Sequence, residues 1–95
     1  MNTTVVIQIG NSDDKLTQIM WAMFIERVEQ AVHKYSDQIH FSGYSNPTAV
    51  WQNACWVFEI SSDLSPHLWD AMKVLCSEFK QDSIAWTEGI TVFVP

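Results

Sequence analysis

The sequence predicts an α+β sandwich of β-α-β-β-α-β order, an antiparallel sheet with two helices on one face. Three observations predict it. Apolar residues alternate in four separate stretches, and they recur at three- and four-residue spacing in two others. Turn-forming residues punctuate the boundaries between these blocks. The 95 residues hold no internal repeat, low-complexity tract or linker, so residues 1–95 read as a single α+β domain with one core.

Residues 4–9 set Val5, Ile7 and Ile9 against Val6 and Gln8, the period of a strand. Gly10-Asn11-Ser12-Asp13-Asp14-Lys15 breaks it, and Thr17 is placed to cap a helix running to about Tyr35. In that helix Trp21, Phe24, Ile25, Val28, Val32 and Tyr35 form a buried stripe, opposite Glu26, Gln30, His33 and Lys34. Ile19 and Met23, four apart, project away from the stripe and mark a surface for a covering loop or a partner. Residues 38–42 make a short second strand after the Ser36-Asp37 turn, and residues 43–53 a long connection containing Asn46-Pro47. The third strand, residues 54–60, alternates Trp56, Phe58 and Ile60 against Cys55, Val57 and Glu59. Ser65-Pro66 reads as an N-cap followed by proline at the first helical position, and the second helix buries Leu68, Met72, Leu75 and Phe79 before ending near Lys80. Residues 83–94 are the last strand, interrupted at Glu88-Gly89 by a bulge or tight hairpin. Cys55 shares parity with Glu59 and faces away from the helices, whereas Cys76 sits on one, so two free thiols are expected.

Eleven acidic residues oppose five basic ones, a net charge of −6. That argues against a protein that grips nucleic-acid phosphates or an anionic membrane surface. It leaves room for a basic protein partner, although solubility alone explains a charge of this size. The first residues carry neither a basic n-region nor a long apolar segment, and the apolar run at residues 19–25 is far too short to span a bilayer. With only two cysteines, a reducing, cytoplasmic setting is expected.

This order of elements is that of a ferredoxin-like sandwich. With strand order 4-1-3-2 the chain visits one end of the sheet three times, at residues 10–17, 43–53 and 80–83. The visits bring Asn11, Ser12, Asp13, Asp14 and Lys15, then Tyr44, Trp51, Gln52 and Asn53, then Gln81, Asp82 and Ser83. These twelve are the candidate ligand-binding residues, since binding groups often ride on loops held by a rigid scaffold. Trp51 and Tyr44 answer to no core period, and beside Gln52 and Asn53 they suit stacking on a planar ligand whose edge the amides read. Ordinary turn chemistry explains Gly-Asn-Ser-Asp-Asp equally well.

Tests for reaction chemistry come out negative. The loop at Gly10 lacks the spacing of a Walker loop, and its two aspartates would repel phosphate. A magnesium ion on Asp13 or Asp14 would rest on two adjacent carboxylates alone. Asp13, Asp14 and Asp82 could form an acid/base pair, but Lys15 and Lys80 lie near enough to neutralise them. His33, His40 and His67 fall on unrelated surfaces. No catalytic set, metal or cofactor is expected. The open sheet face is expected to show Val6, Gln8, His40, Ser42, Val57, Glu59 and Phe93, a mixture suited to a homodimer.

The segments Ile7-Gln8-Ile9-Gly10-Asn11-Ser12-Asp13-Asp14-Lys15-Leu16-Thr17-Gln18, Trp51-Gln52-Asn53-Ala54-Cys55-Trp56 and Gln81-Asp82-Ser83-Ile84-Ala85-Trp86 resemble phrases from small uncharacterised proteins of bacteria and their phages, over about a quarter of the chain. The resemblance implies an accessory protein that acts by binding. The expected function is therefore non-catalytic: sequestering a small polar ligand such as a nucleotide, or blocking a host protein in a counter-defence role. The alternatives are an acidic inhibitor of another protein through its helix faces, with Ile19 and Met23 as the partner-binding anchor, and a small enzyme using the loop aspartates.

Overall fold

A computed structural model describes residues 1–11, 15–46 and 49–95. The chain runs β1 (Asn2–Gly10), α1 (Gln18–Tyr35), β2 (Gln38–Tyr44), β3 (Asn53–Ser61), α2 (Ser65–Glu78) and β4 (Ala85–Gly89). One sheet has the order β2-β3-β1-β4 with every neighbouring pair antiparallel, which is the expected 4-1-3-2 arrangement. Alternation in β1 and β3 decides which side is covered. Val5, Ile7, Ile9, Ala54, Trp56, Phe58 and Ile60 are buried, and with Trp21, Phe24, Val28, Val32, Leu68, Met72, Leu75 and Phe79 they form the core between sheet and helices. Phe24 stacks on Phe79 at 4.8 Å between ring centroids, tying the two helices together.

The ends of the helices follow local chemistry. Thr17 caps α1 as expected, its hydroxyl accepting from the Met20 amide at 3.2 Å. The N-cap of α2 is Leu64, with no side-chain bond, and not Ser65, which already lies inside the helix; Pro66 sits in the first turn, where its missing N–H costs nothing. At the other end of α2 the Lys80 N–H reaches Ser77 O and the Gln81 N–H reaches Cys76 O at 2.8 Å, with Lys80 at φ 55°. This is the paired closure that usually falls to glycine. The helix proper stops at Glu78, and the turn fixes where residues 81–83 begin.

Three expectations need correction. The long connection is shorter than residues 43–53, because β2 extends to Tyr44 and β3 starts at Asn53. A register shift between Ile39 and Phe41 then sets Phe41 opposite Val57 and Ser42 opposite Trp56. The extra residue reverses the alternation, so Phe41, not Ser42, stands on the open face. The last strand ends at Gly89; residues 90–95 follow it without pairing to a strand, and Glu88-Gly89 is neither bulge nor hairpin. Both cysteines are free, Cys55 on the open face and Cys76 on α2. No described helix is long and apolar enough to cross a membrane.

Candidate functional site

The three loop visits do meet. Lys15 Nζ lies 3.4 Å from an Asp82 carboxylate oxygen, joining the first visit to the third. Asn11 Nδ2 donates to Gln52 Oε1 at 3.0 Å, joining the first to the second. What they build is a partition with a surface on each side.

Asn11 and Gln52 form the partition, and both are buried. Asn11 Nδ2 also donates to Leu16 O at 3.1 Å, while its Oδ1 accepts from the Leu16 N–H at 3.0 Å. Gln52 Oε1 accepts again from Gln18 Nε2, and Gln52 Nε2 donates to Gln18 Oε1 at 2.7 Å. The Asn11 N–H donates to Gln52 O at 2.8 Å. These amides thus spend their polar atoms inside the fold, where an unpaired group would cost about 1–3 kcal/mol. They position the loops, and buried Asn11 lines neither surface.

On the open-face side a cleft of about 450 Å³ is lined by Gln8, Gly10, Asn53, Cys55, Gln81, Asp82, Ser83 and Ala85, among others. Strand register explains the set: Gln8 pairs with Cys55 on one side and Ala85 on the other, and Gly10 pairs with Asn53. Paired residues share a face, so these side chains converge. Gly10 is there for space, since a Cβ would stand 3.2 Å from Asn53 Oδ1. The third loop is held by Cys76 Sγ donating to Gln81 O at 3.1 Å and by Gln81 Nε2 donating to Phe79 O at 3.1 Å. Asn53 Nδ2 donates to Trp51 O at 3.1 Å. Partial burial pushes the Cys55 thiol above its ordinary pKa, so it stays protonated and is a weak nucleophile.

On the helix side a groove of about 380 Å³ runs between α1 and the end of β2, lined by Gln18, Trp21, Ile25, Glu26, Glu29, Tyr44, Ser45 and Gln52. Tyr44 pairs with Ala54, whose side chain is in the core, so Tyr44 belongs to this side and not to the cleft. Trp51 is 69 % exposed and lines neither hollow. Ile19 is 75 % exposed and Met23 45 %, so no described loop covers them.

Of the twelve candidate residues, Asn53, Gln81, Asp82 and Ser83 line the cleft, and Lys15 touches it through Asp82. Asn11 and Gln52 are internal, and Tyr44 faces the other way. Ser12, Asp13 and Asp14 lie outside the described residues. Gln8 and Cys55 were missed. Parity alone would have found them, because both follow the open-face alternation of their strands toward the loop end.

Comparison with solved structures yields fold neighbours. The de novo designed protein Foldit4 superposes with a TM-score of 0.66 at 10 % identity, over 97 % of this chain and 100 % of that one. A dimeric ferredoxin-like protein from an uncultured marine organism superposes with a TM-score of 0.52 at 12 % identity, over 99 % and 92 %. The chain therefore has the ferredoxin-like fold, and identities this low carry nothing further. No family model and no curated protein matches the sequence.

Proposed function

We propose that this is a non-catalytic binding protein whose open-face cleft holds a small, polar, uncharged ligand of nucleoside or sugar type. The observation that carries the reading is the lining. The side-chain amides of Gln8, Asn53 and Gln81 and the Ser83 hydroxyl offer donors and acceptors, and among the described residues the charged members of the site are Asp82 and its partner Lys15. Amides match the donor–acceptor edge of a base or the hydroxyls of a sugar. A nucleotide would enter through its base and sugar, with its phosphates kept outside, because the described cleft lining holds no cation of its own, Lys15 beside it is paired with Asp82, and the chain carries −6. In the setting the resembling segments imply, the role is to sequester such a ligand from a host.

Calorimetric titration with a panel of nucleosides and nucleotides tests it. The expected result is saturable 1:1 binding of a nucleoside, weakened at least about tenfold, or 1.4 kcal/mol, when Asn53 and Gln81 are both changed to alanine. Equal binding by the double variant, or no binding by any of the panel, overturns the reading.

Two further surfaces belong to partners. Ile19, Met20 and Met23 stand exposed on α1 beside Glu26, which favours blocking a host protein that offers an apolar patch with basic neighbours. Salt and Ile19→Asp would both weaken that complex. The open sheet face holds Val6, Phe41, Val57 and the carboxylate of Glu59, which His40 and Thr4 already engage, so it is the alternative seat for a homodimer and one free of like-charge repulsion. The enzyme alternative gains nothing from Asp82, whose side chain is 93 % exposed.

A further inference from the structure

The sheet has two outer edges, and they differ. β2 carries a register shift at Ile39/Phe41, a standard way to spoil an edge for pairing. β4 runs Ala85, Trp86, Thr87, Glu88, Gly89 with no proline, lysine or bulge, and it pairs only with β1. Nothing in its own residues except Glu88 discourages another strand. Directly after it come Ile90, Thr91, Val92, Phe93 and Val94, β-branched and aromatic residues with the highest strand preference. They form no strand, and Ile90, Val92, Phe93 and Val94 are 81–93 % exposed. Beside β4, on the helix side, lies an apolar groove of about 290 Å³ lined by Trp69, Met72, Lys73, Cys76, Ser83, Ile84 and Trp86. Trp69 meets Trp86 edge-on at 5.1 Å and is still half exposed.

We propose that residues 85–94 form one continuous strand that pairs antiparallel with the same residues of a second copy of this chain. The unprotected edge and the unpaired strand-former are two halves of one pair. A two-fold axis through residue 89 or 90 brings the segment after Gly89 of each copy onto β4 of the other. Both edges are thereby covered, and assembly stops at two. Alternation carried on from Trp86 puts Ile90, Val92 and Val94 on the helix side. The two registers that preserve this parity set Val92 or Val94 of one copy opposite Trp86 of the other, at the mouth of the Trp69–Trp86 groove. Charge permits it. Between Ile84 and Pro95 the only ionisable side chain is Glu88, which faces Ile90 or Val92 in either register and never its own copy. Lys73 is the charged residue among those lining the groove, and it is basic on an acidic protein. The chain's own tail is an inferior occupant. Folding back needs a tight turn with positive φ, and no glycine here has one, while Thr91 Oγ1 sits against Thr4 Oγ1 on β1. This pairing is independent of the ligand cleft and of the open face.

Native mass spectrometry and sedimentation of the full chain test it, alongside a Val92→Lys/Val94→Lys variant and a Phe41→Glu variant. Both valines are exposed in the single copy, so the lysines leave its fold intact. The expected result is a dimer that Phe41→Glu preserves and that the double-lysine variant weakens at least tenfold, with loss of hydrogen-exchange protection at residues 85–94. A monomeric wild-type chain at high micromolar concentration overturns the proposal. So does a dimer that Phe41→Glu breaks while the double-lysine variant leaves it whole.

Discussion

Gln52 and Asn53 are neighbours in sequence, both amides, both in the segment that leads into β3, yet they serve opposite sides of the loop end. Gln52 is buried, bonded to Asn11 and Gln18, and backs the helix-side groove with Tyr44 and Ser45. Asn53 is exposed and opens onto the sheet-side cleft with Gln8 and Gln81. A single step of strand alternation separates them. Like residues in one loop thus divide into those that build the wall and those that face outward, and parity against the core decides which is which.

The largest effect expected from breaking that wall is at Asn11. Asn11→Ala removes three buried hydrogen bonds and takes the Asn11 partner from both the N–H and the carbonyl of buried Leu16, while Gln52 keeps only Gln18, which costs about 2–3 kcal/mol. Thermal unfolding should show it as a fall of about 4–8 °C per kcal/mol, with cleft and groove disturbed together. On the cleft side alone, Lys80 holds a left-handed backbone. Lys80→Gly relieves this and should raise the urea midpoint by about 1 kcal/mol worth of stability without moving residues 81–83.

A pH effect sharpens the same contrast on the open face. The Thr4 hydroxyl, donating at 2.5 Å, and then the His40 ring hold the Glu59 carboxyl below its ordinary pKa. A depressed carboxyl stabilises the fold above its unfolded pKa, about 4.3, and that contribution is lost as pH falls through the folded value. Urea midpoints of wild type and Glu59→Gln should therefore differ near neutrality and converge in acid, and Thr4→Val should narrow the gap. The smallest effect belongs to Lys15→Ala. Its ion pair with Asp82 is 45 % and 93 % exposed, so chemical denaturation should change by less than about 0.5 kcal/mol.

Much of this is legible in the sequence. The periods of two and of three to four residues place Ile7, Phe58, Phe24 and Leu68 in the core, and antiparallel topology then forces the three loops to one end. What stayed hidden depends on tertiary register. The bulge beside His40 leaves no mark in the alternation of Gln38 to Tyr44, yet it moves Phe41 to the open face and Ser42 off it. Asn11 and Gln52 look like any loop amides until the first and second loops are brought within bonding distance. Residues 90–94 read as strand because their side chains prefer one, but preference supplies no partner, and within one copy β4 stops at Gly89.

The division of the loop end into two unlike surfaces is tested most directly by NMR during titration with an uncharged nucleoside. The side-chain amide signals of Gln8, Asn53 and Gln81 should shift progressively with ligand, while the backbone signals of Tyr44, Ser45 and Glu29 stay in place. Shifts confined to the Tyr44 side, or spread equally over both surfaces, would contradict the account.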